Sequence, residues 1–332
     1  MAAPSSPSAA SQALSVSRVR RGLADRVGDP TLRALTGIAS LAAIVLLILV
    51  VYKVFDQAGE SFSHFGLSFI WKSEWNPVTK QFGAADFLYG TAVTTFGAIL
   101  IAAPMSIAIA LFLTELAPRQ IRRPVGMLVE LLAAIPSVVL GLWGIIVLSP
   151  VLVKTIEPAL KSVLGWIPLF SGEASPVGML PAILILTIMA VPIISAVTRE
   201  VFETVPGDLK EGALALGATR WEMVKMVILP YSRTGIVGAT ILGLGRALGE
   251  AIAVTMVIGH TPGIHASLFG PADTLASRLA SEFQGATSTL QISSLAYLAA
   301  ILLVLALIVN VIARLIVRRA HPKIPTTPGI LR

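Results

Sequence analysis

Long apolar runs separated by short polar segments set the pattern of this chain. Six runs, approximately 34–55, 88–113, 125–152, 177–198, 234–259 and 292–313, are long enough to cross a bilayer, which takes about 20 residues of helix. They predict an all-α polytopic membrane protein with six transmembrane helices. Pro104, Pro136, Pro181 and Pro192 fall within or near these runs, where neighbouring helices are expected to satisfy the freed carbonyls. The polar segments differ in kind. Residues 200–230, EVFETVPGDLKEGALALGATRWEMVKMVILP, are longer than a connection requires. The stretch VLVKTIEPALKSVLGWIPLF, from Val151, is amphipathic and is expected to lie on the membrane surface.

Charge assigns sides to these segments. Lys and Arg in the N-terminal arm, the second and fourth loops and the tail number 18, against six in the other loops. By the positive-inside rule both termini are cytoplasmic. The chain divides into a basic N-terminal arm (1–33, with an uncharged Ala, Ser and Pro stretch over 1–17 that reads as disordered), a membrane domain (34–317) and a tail (318–332). The first apolar run exceeds the ~7–15 residues of a signal peptide core, so it is expected to remain as a helix.

Composition narrows the function. Of 332 residues, 55% are hydrophobic and 13% charged, and the mean hydropathy is +0.84; a soluble domain carries about 25% charged residues. The net charge of +7 reports membrane topology rather than a nucleic-acid partner. There is no cysteine, which excludes thiolate chemistry. No P-loop motif occurs, so energy for pumping must come from a gradient or a partner. No H-E-x-x-H or G-x-S-x-G occurs either, which disfavours an intramembrane hydrolase.

Several polar or small residues carry local expectations. Trp71 and Trp75, in the first outward segment, suit either an interfacial anchor or a docking surface. Glu115 and Glu130 are expected to pair with Arg119, Arg122 or Arg123. Thr91, Thr94 and Thr95 either line a pore or bond back to their helix. His260 and His265 offer too few ligands for a metal. Gly141 and Gly144 suit close helix packing.

Within 200–230, Pro206, Gly207 and Asp208 mark a helix start with Asp208 as N-cap. Gly217 ends that helix, and Thr219 caps the next. The result is a helix–turn–helix, either interfacial or a plug for a cytoplasmic partner's groove. The run EGALALGATRWEMVKMVILP resembles the EAA loop of ABC-importer permeases: Glu211, Ala213, Gly217, Leu229 and Pro230 match in spacing, while Gly212 and Val227 depart from Ala and Ile. The segments SEWNPV, QFGA, YGTAVTT, ALFLTELAP, ELLAAIPSVVLGLWG and GRALGEAIAVTMVIG, over about 70–260, are similar to the C-type permease subunit of phosphate-specific (Pst) importers. The resemblance implies a type I ABC-importer permease fold with a cytoplasmic coupling helix at 211–217. It also implies a second, homologous permease, a dimer of ATPase subunits carrying ATP and Mg, and an extracytoplasmic phosphate-binding protein. No cofactor is expected on this chain, and the location would be the cytoplasmic (inner) membrane.

Arg246 and Glu250 stand inside the apolar run GLGRALGEAIAV. Arg246, 16 residues after Pro230, lies about 24 Å along a helix, too deep to reach the interface easily. Four residues apart, the two would share a helix face. They read either as a structural ion pair or as a polar lining of a pathway. Arg preceding Glu is the weaker order for an ion pair. A guanidinium fork suits a tetrahedral oxyanion, and a carboxylate can accept from a protonated phosphate oxygen. The resemblance places the translocating charges on this RALGE segment. Other readings are a permease for phosphonate, sulfate or molybdate, or a proton-coupled secondary transporter with Glu250 as proton carrier.

Overall fold

The structure is a computed structural model and describes residues 23–261 and 263–320. The expected disordered stretch 1–17 and the end of the tail lie outside the described residues. Two compact units divide at 53/54, within helix α1 (Leu23–Phe65). The described part of the first unit is the leading portion of α1; residues 23–33 of the basic arm already belong to that helix.

The second unit continues from Val54. A short 3₁₀ turn, Gly66–Ile70, leads to a two-stranded antiparallel hairpin, β1 (Trp75–Asn76) and β2 (Gln81–Phe82), in which Trp75 opposes Phe82. Asn76 Oδ1 accepts from Val78 N at 2.9 Å, the side-chain turn that Asn favours. Helices α2 (Ala85–Leu111), α3 (Arg119–Ala134), α4 (Ser137–Trp143), α5 (Ser149–Val151) and α6 (Glu157–Leu164) follow. Then come α7 (Met179–Glu203), α8 (Gly207–Ala215), α9 (Arg220–Met223), α10 (Leu229–Gly249), α11 (Ile252–Ile258), α12 (Leu275–Glu282) and α13 (Thr289–Ala320). Wide π-type turns at Phe112–Leu116, Gly144–Leu148, Leu152–Ile156 and Val224–Ile228 extend or join the helices without ending them.

Among the described residues, six helical stretches are long and apolar enough to span a membrane: Thr31–Ile70, Ala85–Leu116, Ser137–Leu164, Met179–Glu203, Arg220–Gly249 and Thr289–Ile316. The fold is that of a multi-pass α-helical membrane protein. Two boundaries differ from the hydropathy pattern. Ile135 is extended before Pro136, the conformation that a following proline favours, and this separates amphipathic α3 from the third span. That span therefore runs to Leu164, through residues expected on the membrane surface. The fifth apolar run is broken at Glu250, whose backbone is extended between α10 and α11.

Helix α7 is the centre of the second unit, packed by α2, α10, α3 and α11. It is 72% buried across its most apolar window, against 28% for the spans of α2 and α10. A helix apolar on all sides belongs in such a place. Lipid tails provide little hydrophobic drive between helices, so close packing and hydrogen bonds hold the bundle. A Cβ on Gly243 of α10 would fall 2.5 Å from the Ile194 side chain of α7, and one on Gly144 2.9 Å from Ile185 Cδ1. Gly141 likewise admits Met256 and Ala253 of α11. Ser106 Oγ donates across to Val191 O at 3.1 Å beside Pro192, and Thr187 Oγ1 to Ala98 O at 3.3 Å. An aromatic cluster of Phe69, Phe82, Phe87, Trp75 and Tyr297 closes the hairpin end.

Candidate functional site

The segment between α7 and α10 is a helix–turn–helix. Helix α8 begins at Gly207 behind Pro206, so Asp208 sits in the first turn rather than at the cap; there a carboxylate favours the helix N-terminus. Gly217 has φ +88°, the left-handed conformation at which glycine ends helices. Thr219 Oγ1 takes the Glu222 amide while Glu222 takes the Thr219 amide, a complete capping box. Leu229 and Pro230 open α10. Glu211 and Gly212 are exposed, and Ala213 is partly buried against the cluster around Phe202, Val205 and Met223. Leu216 is 91% exposed and Trp221 64%, so the turn projects an apolar knob.

Glu115 holds this segment to the second span. Its Oε1 receives Lys210 Nζ at 2.6 Å and its backbone oxygen receives Arg220 Nη1 at 3.4 Å. Glu130 instead pairs with Arg199 at 2.7 Å. Neither carboxylate takes the expected Arg119, Arg122 or Arg123: Lys210 of α8 takes Glu115, and Arg199 of α7 takes Glu130.

Arg246 and Glu250 lie at the end of α10 and in the break after it. The four-residue spacing brings side chains together only on a continuous helix. Because α10 ends at Gly249, the ion pair, one of the two readings of this spacing, does not form. Arg246 is exposed and makes no hydrogen bond or ion pair among the described residues. Glu250 is half-buried, and its Oε1 accepts from Ala253 N at 3.3 Å, in the first turn of α11. Beside the break, a crevice of about 440 Å³ runs past Gly249, Ala251, Leu279 and Phe283. Non-helical backbone within a membrane domain is tolerated where it lines a cavity or is buried in protein. The exposed guanidinium calls for a polar surface opposite it, which none of the described residues supplies.

Thr91 and Thr94 bond back to Phe87 O and Gly90 O, each at 2.7 Å. A Cβ on Gly90 would sit 1.9 Å from Asp273 O, so the segment before α12 lies directly on α2. A buried charge network there was not visible in the sequence. Arg278 Nε lies 2.8 Å from Asp273 Oδ2. Its Nη1 bonds Glu282, which also accepts Trp75 Nε1 at 2.8 Å. The guanidinium lies 4.9 Å from the Phe87 ring centre and 5.9 Å from that of Trp75. His260, at φ +51°, joins it with Nδ1 3.4 Å from Asp273 Oδ2 and Nε2 2.9 Å from Thr255 O. The bond to Asp273 raises the His260 pKa above its ordinary value, against partial burial and the Arg278 charge. The one sequence signal for the network was the four-residue step from Arg278 to Glu282.

Residues 106–322 match the family described as "Binding-protein-dependent transport system inner membrane component". The chain is 46% identical over 295 residues to "Phosphate transport system permease protein PstC" of Mesorhizobium japonicum, covering 88% of this chain and 90% of that protein. It is 45% identical to the protein of the same name from Pasteurella multocida (88% and 92% covered), and 36% identical to PstC 1 of Mycobacterium tuberculosis (94% and 99%). Among solved structures, a bacterial ABC transporter importing the acidic polysaccharide alginate aligns with a TM-score of 0.58 at 19% identity, over 87% of this chain and 98% of that one. This likeness places the fold among type I ABC-importer permeases. By its matched span, its helical architecture and its relatives, the chain belongs to the family of binding-protein-dependent inner-membrane permeases of ABC transporters.

Proposed function

We propose that this chain is a permease subunit of an ATP-driven importer that carries inorganic phosphate across the cytoplasmic membrane. The observation that carries the reading is its identity, over nearly nine-tenths of its length, with permeases named for phosphate transport. A homologous second permease would supply the polar surface opposite Arg246. An external phosphate-binding protein would deliver the anion, and a dimer of ATPase subunits would hydrolyse ATP with Mg. Both termini would be cytoplasmic, on the side of α8.

In this reading the chain performs no covalent step. Arg246 offers a fork of donors to a phosphate oxygen pair, and Glu250 accepts a hydrogen bond from a protonated oxygen, which sulfate lacks at neutral pH. Glu250 also holds the α11 first turn, so anion passage and the shape of the break are joined in one residue. Residues 211–217, with Leu229 and Pro230 fixing the base of α10, transmit ATPase motion to the pathway.

Uptake of labelled phosphate by the reconstituted complex tests the assignment. Arg246→Gln should assemble and lose transport, while Glu211→Ala should hydrolyse ATP without moving phosphate. Normal uptake by Arg246→Gln would remove it from the pathway, and uptake of sulfate in place of phosphate would move the chain to another oxyanion.

A further inference from the structure

A second cationic site lies away from Arg246, at the end of the bundle that carries α8. Arg119, Arg122 and Arg123 on α3 and Arg199 on α7 surround a cavity of about 390 Å³ together with Glu130 and Glu203. Arg119, Arg123, Gly126 and Glu130 recur at helical spacing, so they share one face of α3. Gly126 lets the α7 side chain lie across that face: a Cβ there would sit 2.8 Å from Arg199 Nη1.

The charges in the cavity do not balance. Arg199 is committed to Glu130 at 2.7 Å, and Arg122 Nη2 to Thr114 O at 2.6 Å. Arg119 and Arg123 make no hydrogen bond or ion pair among the described residues. Four guanidinium groups against two carboxylates leave an excess of two cations. The cavity is of ligand size, and forks on successive turns suit an anion with several oxygens. The neighbouring α3 residues Met127, Leu128 and Leu131 are exposed and apolar, so a ligand with an apolar part would find its surface beside the charges.

We propose that Arg119, Arg123 and the Arg199 side chain laid over Gly126 form a binding site for a phosphate group, carried either by an anionic lipid or by free inorganic phosphate. Basic pockets between transmembrane helices are suited to such head groups. The site is separate from the Arg246 pathway and does not depend on it. Arg122, held on Thr114 O beside Glu115, links it to the clasp on α8.

Native mass spectrometry of the intact transport complex tests this, with dioleoylphosphatidylglycerol, dioleoylphosphatidylcholine and potassium phosphate as separate probes. Arg119→Gln/Arg123→Gln should retain about thirtyfold less phosphatidylglycerol, with phosphatidylcholine unchanged. Gly126→Ala, which keeps every charge but displaces Arg199, should weaken retention in the same direction. Phosphate that displaces the lipid identifies the free anion as an accepted ligand; lipid that resists phosphate identifies the head group. Should the double Gln variant fail to assemble, Arg119→Lys/Arg123→Lys, with the charge but not the fork, should give intermediate retention. Equal retention of phosphatidylglycerol by the wild type and the assembled variants, without a phosphate effect, overturns the site. So does loss of the ATPase subunit with lipid retention unchanged, which would assign the arginines to subunit contact.

Discussion

Glu115 and Lys210 lie 95 positions apart in the chain and meet at 2.6 Å, both largely withdrawn from solvent. Glu115 closes the second span and Lys210 stands within α8, so a movement of α8 reaches the bundle through this clasp as well as through the covalent route into α10. Glu115→Gln should loosen the clasp by about 1.5–3 kcal/mol, the range for a hydrogen bond to a charged partner. The expected outcome is ATP hydrolysis that responds less to phosphate. A double-mutant cycle with Lys210→Gln in a stability assay should show coupling above about 0.5 kcal/mol; additive effects would mean that the contact does not act as a unit.

Gly212 departs from the family pattern without a steric reason. A Cβ at this position meets no atom within 4 Å, and α8 is an ordinary helix here. Gly212→Ala should stabilise α8 by up to ~1 kcal/mol and leave phosphate uptake intact. A higher melting temperature with unchanged transport checks the first half and the second together.

The raised pKa of His260 gives the Asp273–Arg278 network a pH dependence. Asp273 favours the imidazolium in the folded protein. The resulting stabilisation is fully present below the ordinary histidine value near 6.5 and is lost as pH rises through the raised folded value. Thermal stability of wild type minus His260→Asn should therefore be largest at acidic pH and shrink above neutrality. A difference that grows with pH would mean that the ring is held neutral.

Arg278 compensates a carboxylate with no exposed side-chain surface, that of Asp273. Arg278→Leu strands that charge and should cost about 3–5 kcal/mol, seen as lost folded protein in a detergent-stability assay. Adding Asp273→Asn should recover part of the loss. No recovery would mean that the stacking on Phe87 and Trp75 dominates.

Much of this architecture is legible in residue pattern. The six spans follow from hydropathy, because each carries its own apolar run. The turn in the coupling segment follows from Gly217 and Thr219, whose roles are set by local backbone chemistry. Two errors have a common physical source. Averaged hydropathy merged the apolar face of α3 with the third span although Pro136 stood between them. The same averaging ran α10 into α11, since Gly249, Glu250 and Ala251 offer no proline to mark the break. The charge network of Asp273, Arg278 and Trp75 was hidden for another reason: its members come from segments joined only by the tertiary fold. The partners of Glu115 and Glu130 were misassigned likewise, because proximity in sequence favoured the arginines of α3.

The wide turns also bear on how this chain tolerates changes in length. Each is a helical turn with one residue more than an α-helix needs, and Val224–Ile228 sits between α9 and α10. Deleting one residue there could be absorbed by tightening the turn. The same deletion inside α10 would rotate everything beyond it by about 100° and carry Arg246 off its face. Single-residue indels among homologues should accordingly gather at the wide turns and be sparse between Leu229 and Gly249.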